Sequence, residues 1–281
     1  MKLGIASSVF VNYSIENTID KVVGAGYDGI DIWGGRPHVY RNDCDEKRLI
    51  RLQKRIADNN LRVASHMPAF FRYPHSLSNP NEIVRQDSID YMRQCIDNAI
   101  LLEAELVLIV PGRSLFGQGV EDARSRLVDS IEQVCTWAQQ YNLRLGIEPA
   151  NRMVTDLVVT SNDALEIINK LNYPNLGVVL DTGHLHLTGE SPEQAIKNLG
   201  NRLFQFHVND NDGHNQQNLV PGEGSFDFPA FIHLLEIAGY DGFLSAELGW
   251  HYTLDPVPAA QATLARMKEY LIDQGESKEN G

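Results

Sequence analysis

Strand-like and helix-like periodicities alternate along this chain from its first residues almost to its last, and few folds accept that order. Short apolar runs fall at Leu3–Ser7, Gly29–Trp33, Val63–His66, Leu106–Val110, Arg144–Glu148, Gly177–Asp181, Leu203–Val208 and Gly242–Glu247. Helical patterns separate them. Ser14 reads as an N-cap for a helix with Ile15, Ile19, Val22 and Val23 on one face, closed by Gly24 and Gly26. Asp45 caps a helix carrying Leu49, Leu52 and Ile56, and Ser191-Pro192-Glu193 is a cap followed by proline at the first helical position. Longer helical stretches cover residues 81–102 and 120–141, and others start near Ser161, Phe228 and Pro258. Eight strand–helix units in about 270 residues predict an α/β fold, a (β/α)8 TIM barrel.

Repetition supports equivalent units. Ala25-Gly26-Tyr27-Asp28-Gly29 before the second strand returns as Ala238-Gly239-Tyr240-Asp241-Gly242 before the eighth, and Asn60-Leu61-Arg62 returns as Asn142-Leu143-Arg144. A doubly wound open sheet is the alternative, but Gly4-Ile5-Ala6-Ser7-Ser8-Val9 stands where that fold carries its phosphate-binding glycines. No linker or break in composition divides the chain. One domain is expected over residues 1–272, with a polar, frayed tail over 273–281.

The net charge of −13 would repel a phosphate backbone, so nucleic acid is not expected as a partner. Cys44, Cys95 and Cys135 are widely spaced and form no CxxC pair, as in a reducing compartment. The first residues run straight into strand-like sequence without a signal core, and no apolar run approaches the roughly 18–20 residues that span a bilayer. A cytoplasmic protein without membrane contact is the expectation.

Chemistry gathers at the ends of the last four strands. Glu148, Asp181, His207 and Glu247 each stand at or beside the carboxyl end of a successive strand, where a parallel barrel builds its active site. Each has an ordinary explanation alone: Glu148 before proline held by a loop amide, Asp181 in an N-cap-like turn, His207 a satisfied core histidine. Glu247 is harder to dismiss, because a glutamate buried on the apolar strand end Leu244–Leu248 is costly without a partner. Together they make a hard, mostly oxygen site for one divalent ion, Mn²⁺, Co²⁺ or Mg²⁺. Such an ion acidifies the C–H beside a sugar carbonyl, and two glutamates can act as acid and base on opposite faces. Returning the proton to the other face is epimerisation; moving it to the adjacent carbon is aldose–ketose isomerisation.

The stretches Gly26–Trp33, Gly146-Ile147-Glu148-Pro149, Asp181-Thr182-Gly183-His184, His207-Val208-Asn209-Asp210, Pro221-Gly222-Glu223-Gly224 and Ala246-Glu247 resemble the sugar phosphate isomerase/epimerase family with the xylose isomerase-like barrel. The resemblance covers about Lys2 to Ile272. It is nearest to the ketose 3-epimerase branch, which includes tagatose, psicose and fructoselysine 3-epimerases; Ile32–His38 and the Pro221–Gly224 loop are similar to the last. The resemblance implies Glu148, Asp181, His207 and Glu247 as metal ligands, Glu148 and Glu247 as the catalytic acid–base pair working through a cis-enediolate, and His184 as a substrate contact. One departure stands out. The branch places an arginine six residues after the metal-binding histidine, where this chain has Gly213, with His214 or Asn211 as replacements.

Further substrate contacts are expected from Trp33 and His66 at strand ends and from Arg152 just after Glu148. Arg36 and His38 are candidates for a polar substrate tail, and Phe70, Phe71 and Tyr73 for an apolar rim. Three other functions compete. An apurinic-site endonuclease of this fold needs extra histidines, but Val110-Pro111-Gly112 and the residues after His207 lack them. A metal-dependent dehydratase of inosose or 3-dehydroshikimate type would share the site, and a barrel that binds sugar without catalysis would not need both glutamates. The expectation is a metal-dependent epimerase or isomerase of a ketose or ketose derivative, with a small-molecule sugar as partner and a homo-oligomer as its assembly.

Overall fold

The computed structural model describes residues 1–70 and 74–276, apart from the side chains at 42 and 273–276. Strands β1 (Lys2–Ala6), β2 (Gly29–Trp33), β3 (Arg62–Met67), β4 (Leu106–Ile109), β5 (Arg144–Ile147), β6 (Leu176–Asp181), β7 (Leu203–Val208) and β8 (Phe243–Ala246) close into a barrel in chain order. Every pairing is parallel, and β8 returns to β1 through Lys2 opposite Phe243 and Ile5 opposite Ala246. Between them run α1 (Ile15–Ala25), α2 (Glu46–Asp58), α3 (Glu82–Leu101), α4 (Val120–Gln139), α5 (Ser161–Leu171), α6 (Thr182–Thr188), α7 (Pro192–Leu199), α8 (Phe228–Ile237) and α9 (Pro256–Glu276). The expected barrel is the one observed.

The caps expected from sequence do their work. Ser14, Asp45 and Ser191 accept from the backbone amides of Asn17, Arg48 and Gln194 and so satisfy helix-start donors that would otherwise be orphaned. The repeated sequences turn out to be helix stops that feed a strand. Gly26 and Gly239 take positive φ, as do Asn60 and Asn142, and the amides of Leu61 and Leu143 reach back to the carbonyls of Ile56 and Ala138. Several bounds differ from expectation by one residue: β3 runs on to Met67, β4 ends at Ile109, and β5 and β8 end at Ile147 and Ala246. β1 stops at Ala6 because Ser7–Phe10 winds into a 3₁₀ turn, α6 is an additional helix, and α9 begins at Pro256 and runs to Glu276. Residues 277–281 of the expected tail, and Phe71 and Tyr73 of the expected rim, lie outside the described residues.

The main core fills the space between strands and helices, with Ile5, Ile30, Val107, Ile147, Val178 and Phe206 facing the helical layer. Strands buried on both faces explain their unbroken apolar runs, such as Leu-Val-Leu-Ile in β4. Inside the barrel a second, smaller apolar cluster joins Ala6, Met67, Leu106, Leu108 and Val179. The opposite wall of that interior is polar: Asp31 Oδ1 accepts from Ser65 and from Gln205, whose Nε2 also reaches Ser245. The free thiols Cys44, Cys95 and Cys135 are buried. Among the described residues, no helix is long and apolar enough to cross a membrane.

Candidate metal centre

Register brings the four ligand candidates to one place. Asp181 pairs with His207 across β6 and β7, Glu148 follows the last residue of β5, and Glu247 follows the last residue of β8. Their backbones are held as well: the Glu148 amide donates to Ile109 O and the Glu247 amide to Val208 O. One donor atom from each of the four lies within 4.8 Å of all the others.

His207 is fully buried at the centre. Its Nδ1 lies 2.7 Å from Glu148 Oε1 and 3.1 Å from Glu247 Oε2. Burial works to lower the pKa of this ring, but the Glu148 charge and hydrogen bond, with those of Glu247, raise it well above 6.5. Burial also acts to raise Glu247, yet the hydrogen bond and charge of His207 hold that carboxyl below its ordinary value. Asp181 goes the other way, lifted to about 6 by burial and by the charges of Glu148 and Glu247. Three carboxylates thus converge on one imidazole, whose single positive charge cannot balance them. The donor set of one ring nitrogen and three carboxylates fits a divalent ion such as Mn²⁺, Co²⁺ or Mg²⁺, and its compactness agrees.

Asp181 is at once an N-cap and a ligand candidate. Its Oδ1 accepts from the His184 amide at 2.8 Å, starting α6, and its Oδ2 accepts from Asn209 Nδ2 at 2.6 Å. Asn209 is itself fixed, since its amide donates to Thr182 Oγ1 while that hydroxyl donates to the Asn209 carbonyl. Gly183 makes room for it: a Cβ there would stand 2.1 Å from Asn209 Oδ1. The next residue, Asp210, accepts from the amides of Asn211, Gly222, Gly224 and Phe226, which ties the Pro221–Gly224 loop to the end of β7. Sequence reasoning did not single out Asn209 or Asp210 as supports, because their partners lie across loops.

Glu148 and Glu247 open onto a cavity of about 510 Å³ at the carboxyl end of the barrel. Trp33, His184 and Phe70 line it, together with Met67, Leu108, Met153, Gln216 and Trp250. His66 is not among the lining residues; it is buried, with Nδ1 donating to Ile32 O, and burial lowers its pKa to about 4, so the ring is neutral. Arg152 and His214 come together in a neighbouring hollow of about 340 Å³ that shares Met153 with the main cavity. Asn211 is engaged by Gly183 O and the Gly213 amide. Arg36 is exposed and paired with Asp43, and His38 is buried between Ser7 and Tyr13 O.

Comparison with known proteins agrees with this geometry. The model of the xylose isomerase-like TIM barrel matches residues 19–270. Fructoselysine 3-epimerase of Shigella flexneri is 25% identical over 271 residues, 96% of this chain and 98% of the relative. Inosose isomerase of Bacillus licheniformis is 24% identical, covering 70% of this chain and 72% of the relative. Among solved structures, that of an L-ribulose 3-epimerase superposes with a TM-score of 0.84 at 22% identity, covering 99% of this chain and 97% of the other. These relatives are epimerases and isomerases, and the present chain is an enzyme. With its barrel closed in the same order and the family model matched over nearly its whole length, the chain belongs to the xylose isomerase-like TIM-barrel family.

Proposed function

We propose that this enzyme is a divalent-metal-dependent epimerase of a ketose or ketose derivative, working by proton transfer through a cis-enediolate. The observation that carries the reading is the convergence of Glu148, Asp181, His207 and Glu247 within 4.8 Å at the mouth of a cavity. A Mn²⁺, Co²⁺ or Mg²⁺ ion held by these residues would supply Lewis-acid polarisation of a carbonyl and its neighbouring hydroxyl. The remaining chemistry belongs to the side chains. Glu148 comes from β5 and Glu247 from β8, so a sugar seated between them turns one face to each. Glu247, whose carboxyl is held acidic, is ionised and ready to take the proton from its face. Glu148, having taken up a proton from solvent, delivers it to the opposite face, the carbon is inverted, and Glu247 gives its proton up to solvent. In the reverse direction the roles exchange.

Met67, Leu108, Trp33 and Trp250 form a largely apolar wall that excludes water and strengthens each charge inside. The relative that acts on fructoselysine supports a ketose that carries a substituent, and the cavity volume is compatible with that. We infer further that the chain folds as one domain over residues 1–272, works in the cytoplasm on a small-molecule sugar without nucleic acid, and assembles as a homo-oligomer. Arg152 and His214 line the adjoining hollow, and we assign them to the far end of a longer substrate.

The test is a panel of ketoses, ketose derivatives, inosose and dehydroshikimate incubated with the Mn²⁺-loaded enzyme, with products identified by NMR. Inversion at the carbon beside the carbonyl is expected, reduced about 10²–10⁴-fold in Glu148→Gln. An aldose product would make the enzyme an isomerase. Loss of water from inosose or dehydroshikimate, with no epimer formed, would overturn the proposal in favour of a dehydratase.

A further inference from the structure

Asn151 lies buried on the loop between β5 and α5, beside two groups that line the cavity. Its Oδ1 accepts from the Met153 backbone amide at 2.8 Å. A backbone N–H can only donate, so this bond fixes which end of the Asn151 side chain is oxygen. The Nδ2 end therefore faces His184 Nδ1 at 3.0 Å and Gln216 Oε1 at 3.0 Å. It has two protons and no lone pair to offer, and each neighbour takes one proton. His184 Nδ1 must accept, which puts the proton of the neutral ring on Nε2. The competing arrangement, Nδ1–H pointing to Asp181, is out of reach at 4.0 Å, and that Asp181 oxygen already accepts from the His184 amide. Gln216 Oε1 is occupied in the same way, so the amide NH₂ is the end of Gln216 left for another partner.

We propose that Asn151 is a positioning residue that locks His184 as its Nε2–H tautomer and Gln216 in one amide orientation, so that these two cavity-lining side chains present neutral N–H donors to the substrate. The inference rests on the reading of the cavity as the ketose site and deepens it. The group it selects at this wall is an oxygen with free lone pairs: a carbonyl, a hydroxyl, or the oxyanion that develops when the neighbouring carbon loses its proton. Preorganised donors of this kind act most strongly on charge that appears in the transition state. An ammonium group, which can only donate, would find no acceptor at His184 Nε2 or at the Gln216 NH₂.

Histidine-selective ¹⁵N labelling with long-range ¹H–¹⁵N correlation reads the ring tautomer directly, and His184→Gln identifies the relevant signals. Spectra would be taken on the metal-stripped enzyme and with Mg²⁺, at a pH where the ring is neutral. Wild type should show a protonated Nε2 and a bare Nδ1. Asn151→Asp is nearly isosteric but can only accept, so the proton should move to Nδ1. The same variant should lose kcat about 100-fold on any ketose that wild type turns over, with Mg²⁺ affinity retained. An Nδ1–H tautomer in wild type, or an unchanged tautomer in Asn151→Asp, overturns the proposal. If the variant folds poorly, the wild-type spectrum still decides. The ring signals need no substrate, so absence of ketose turnover would sink the functional reading without touching this result.

Discussion

Binding of a metal at this centre has to displace a proton. His207 Nδ1 lies against Glu148 and Glu247 at 2.7 and 3.1 Å, and those carboxylates keep the ring protonated well above 6.5 in the metal-free enzyme. The nitrogen that holds this proton is the one aimed at the carboxylates, so it is the nitrogen that a metal among them must take. One proton leaves per ion bound. Affinity for Mn²⁺ should then rise tenfold, or about 1.4 kcal/mol, per pH unit from 6.5 until the raised pKa is passed. Below about 6 a second proton sits on Asp181, and the dependence steepens toward a hundredfold per unit. The effect on stability follows with its sign. The pKa of His207 is raised by folding, so its contribution to the metal-free fold is complete below 6.5 and is lost as pH climbs through the folded value. Metal-free enzyme should therefore weaken at alkaline pH, and the metal-loaded form should not. Calorimetric titration with Mn²⁺ in buffers of different ionisation heat reads the proton count, which should be one at about pH 7. Zero protons released and a flat affinity would refute the assignment of His207 as both proton carrier and ligand.

Two further perturbations probe what supports the centre. Gly183→Ala places a methyl 2.1 Å from Asn209 Oδ1, and the buried Asn209 must leave Asp181 to make room. Metal affinity should fall about 10–100-fold by calorimetry, with the barrel still folded by circular dichroism. Asp210→Ala removes the acceptor of four buried or half-buried amides, those of Asn211, Gly222, Gly224 and Phe226. Urea unfolding should show a loss of at least about 3 kcal/mol, and a loss within 0.5 kcal/mol or so of zero would mean that the loop finds other partners.

Much of the fold was legible because local chemistry and global topology agree in this chain. Caps at Ser14, Asp45 and Ser191 announce helices, and the Asn-Leu-Arg and Ala-Gly-Tyr-Asp-Gly repeats are stops whose positive-φ residues turn helix into strand. The four ligand candidates were visible for a similar reason: a parallel barrel delivers residues at strand ends to a common mouth. What escaped is either too short or too distant to leave a pattern. Helix α6 has two turns, and its cap is a ligand candidate, so Asp181-Thr182-Gly183 gave only a turn-like signal. The 3₁₀ turn after β1 carries the same apolar residues as a strand end. Asn151, Asn209 and Gln216 act through partners 28–65 residues away, and a polar residue in a loop carries no periodicity that would point to them. His66 and Trp33 show the same limit from the other side. Both stand near strand ends, yet one turns to the Ile32 carbonyl and the other to the cavity.

The central claim is that two glutamates pass a solvent-derived proton across one carbon, and exchange in D₂O tests it most directly. The Mn²⁺-saturated enzyme would be given a ketose it converts, and deuterium followed by NMR at the carbon beside the carbonyl. Wild type should place deuterium at that carbon in the product. Glu148→Gln and Glu247→Gln should each stop epimerisation, while each remaining glutamate still exchanges the proton of the epimer that faces it. Conversion by wild type with no deuterium at that carbon would contradict the account, because inversion would then proceed without a proton passing through Glu148 and Glu247.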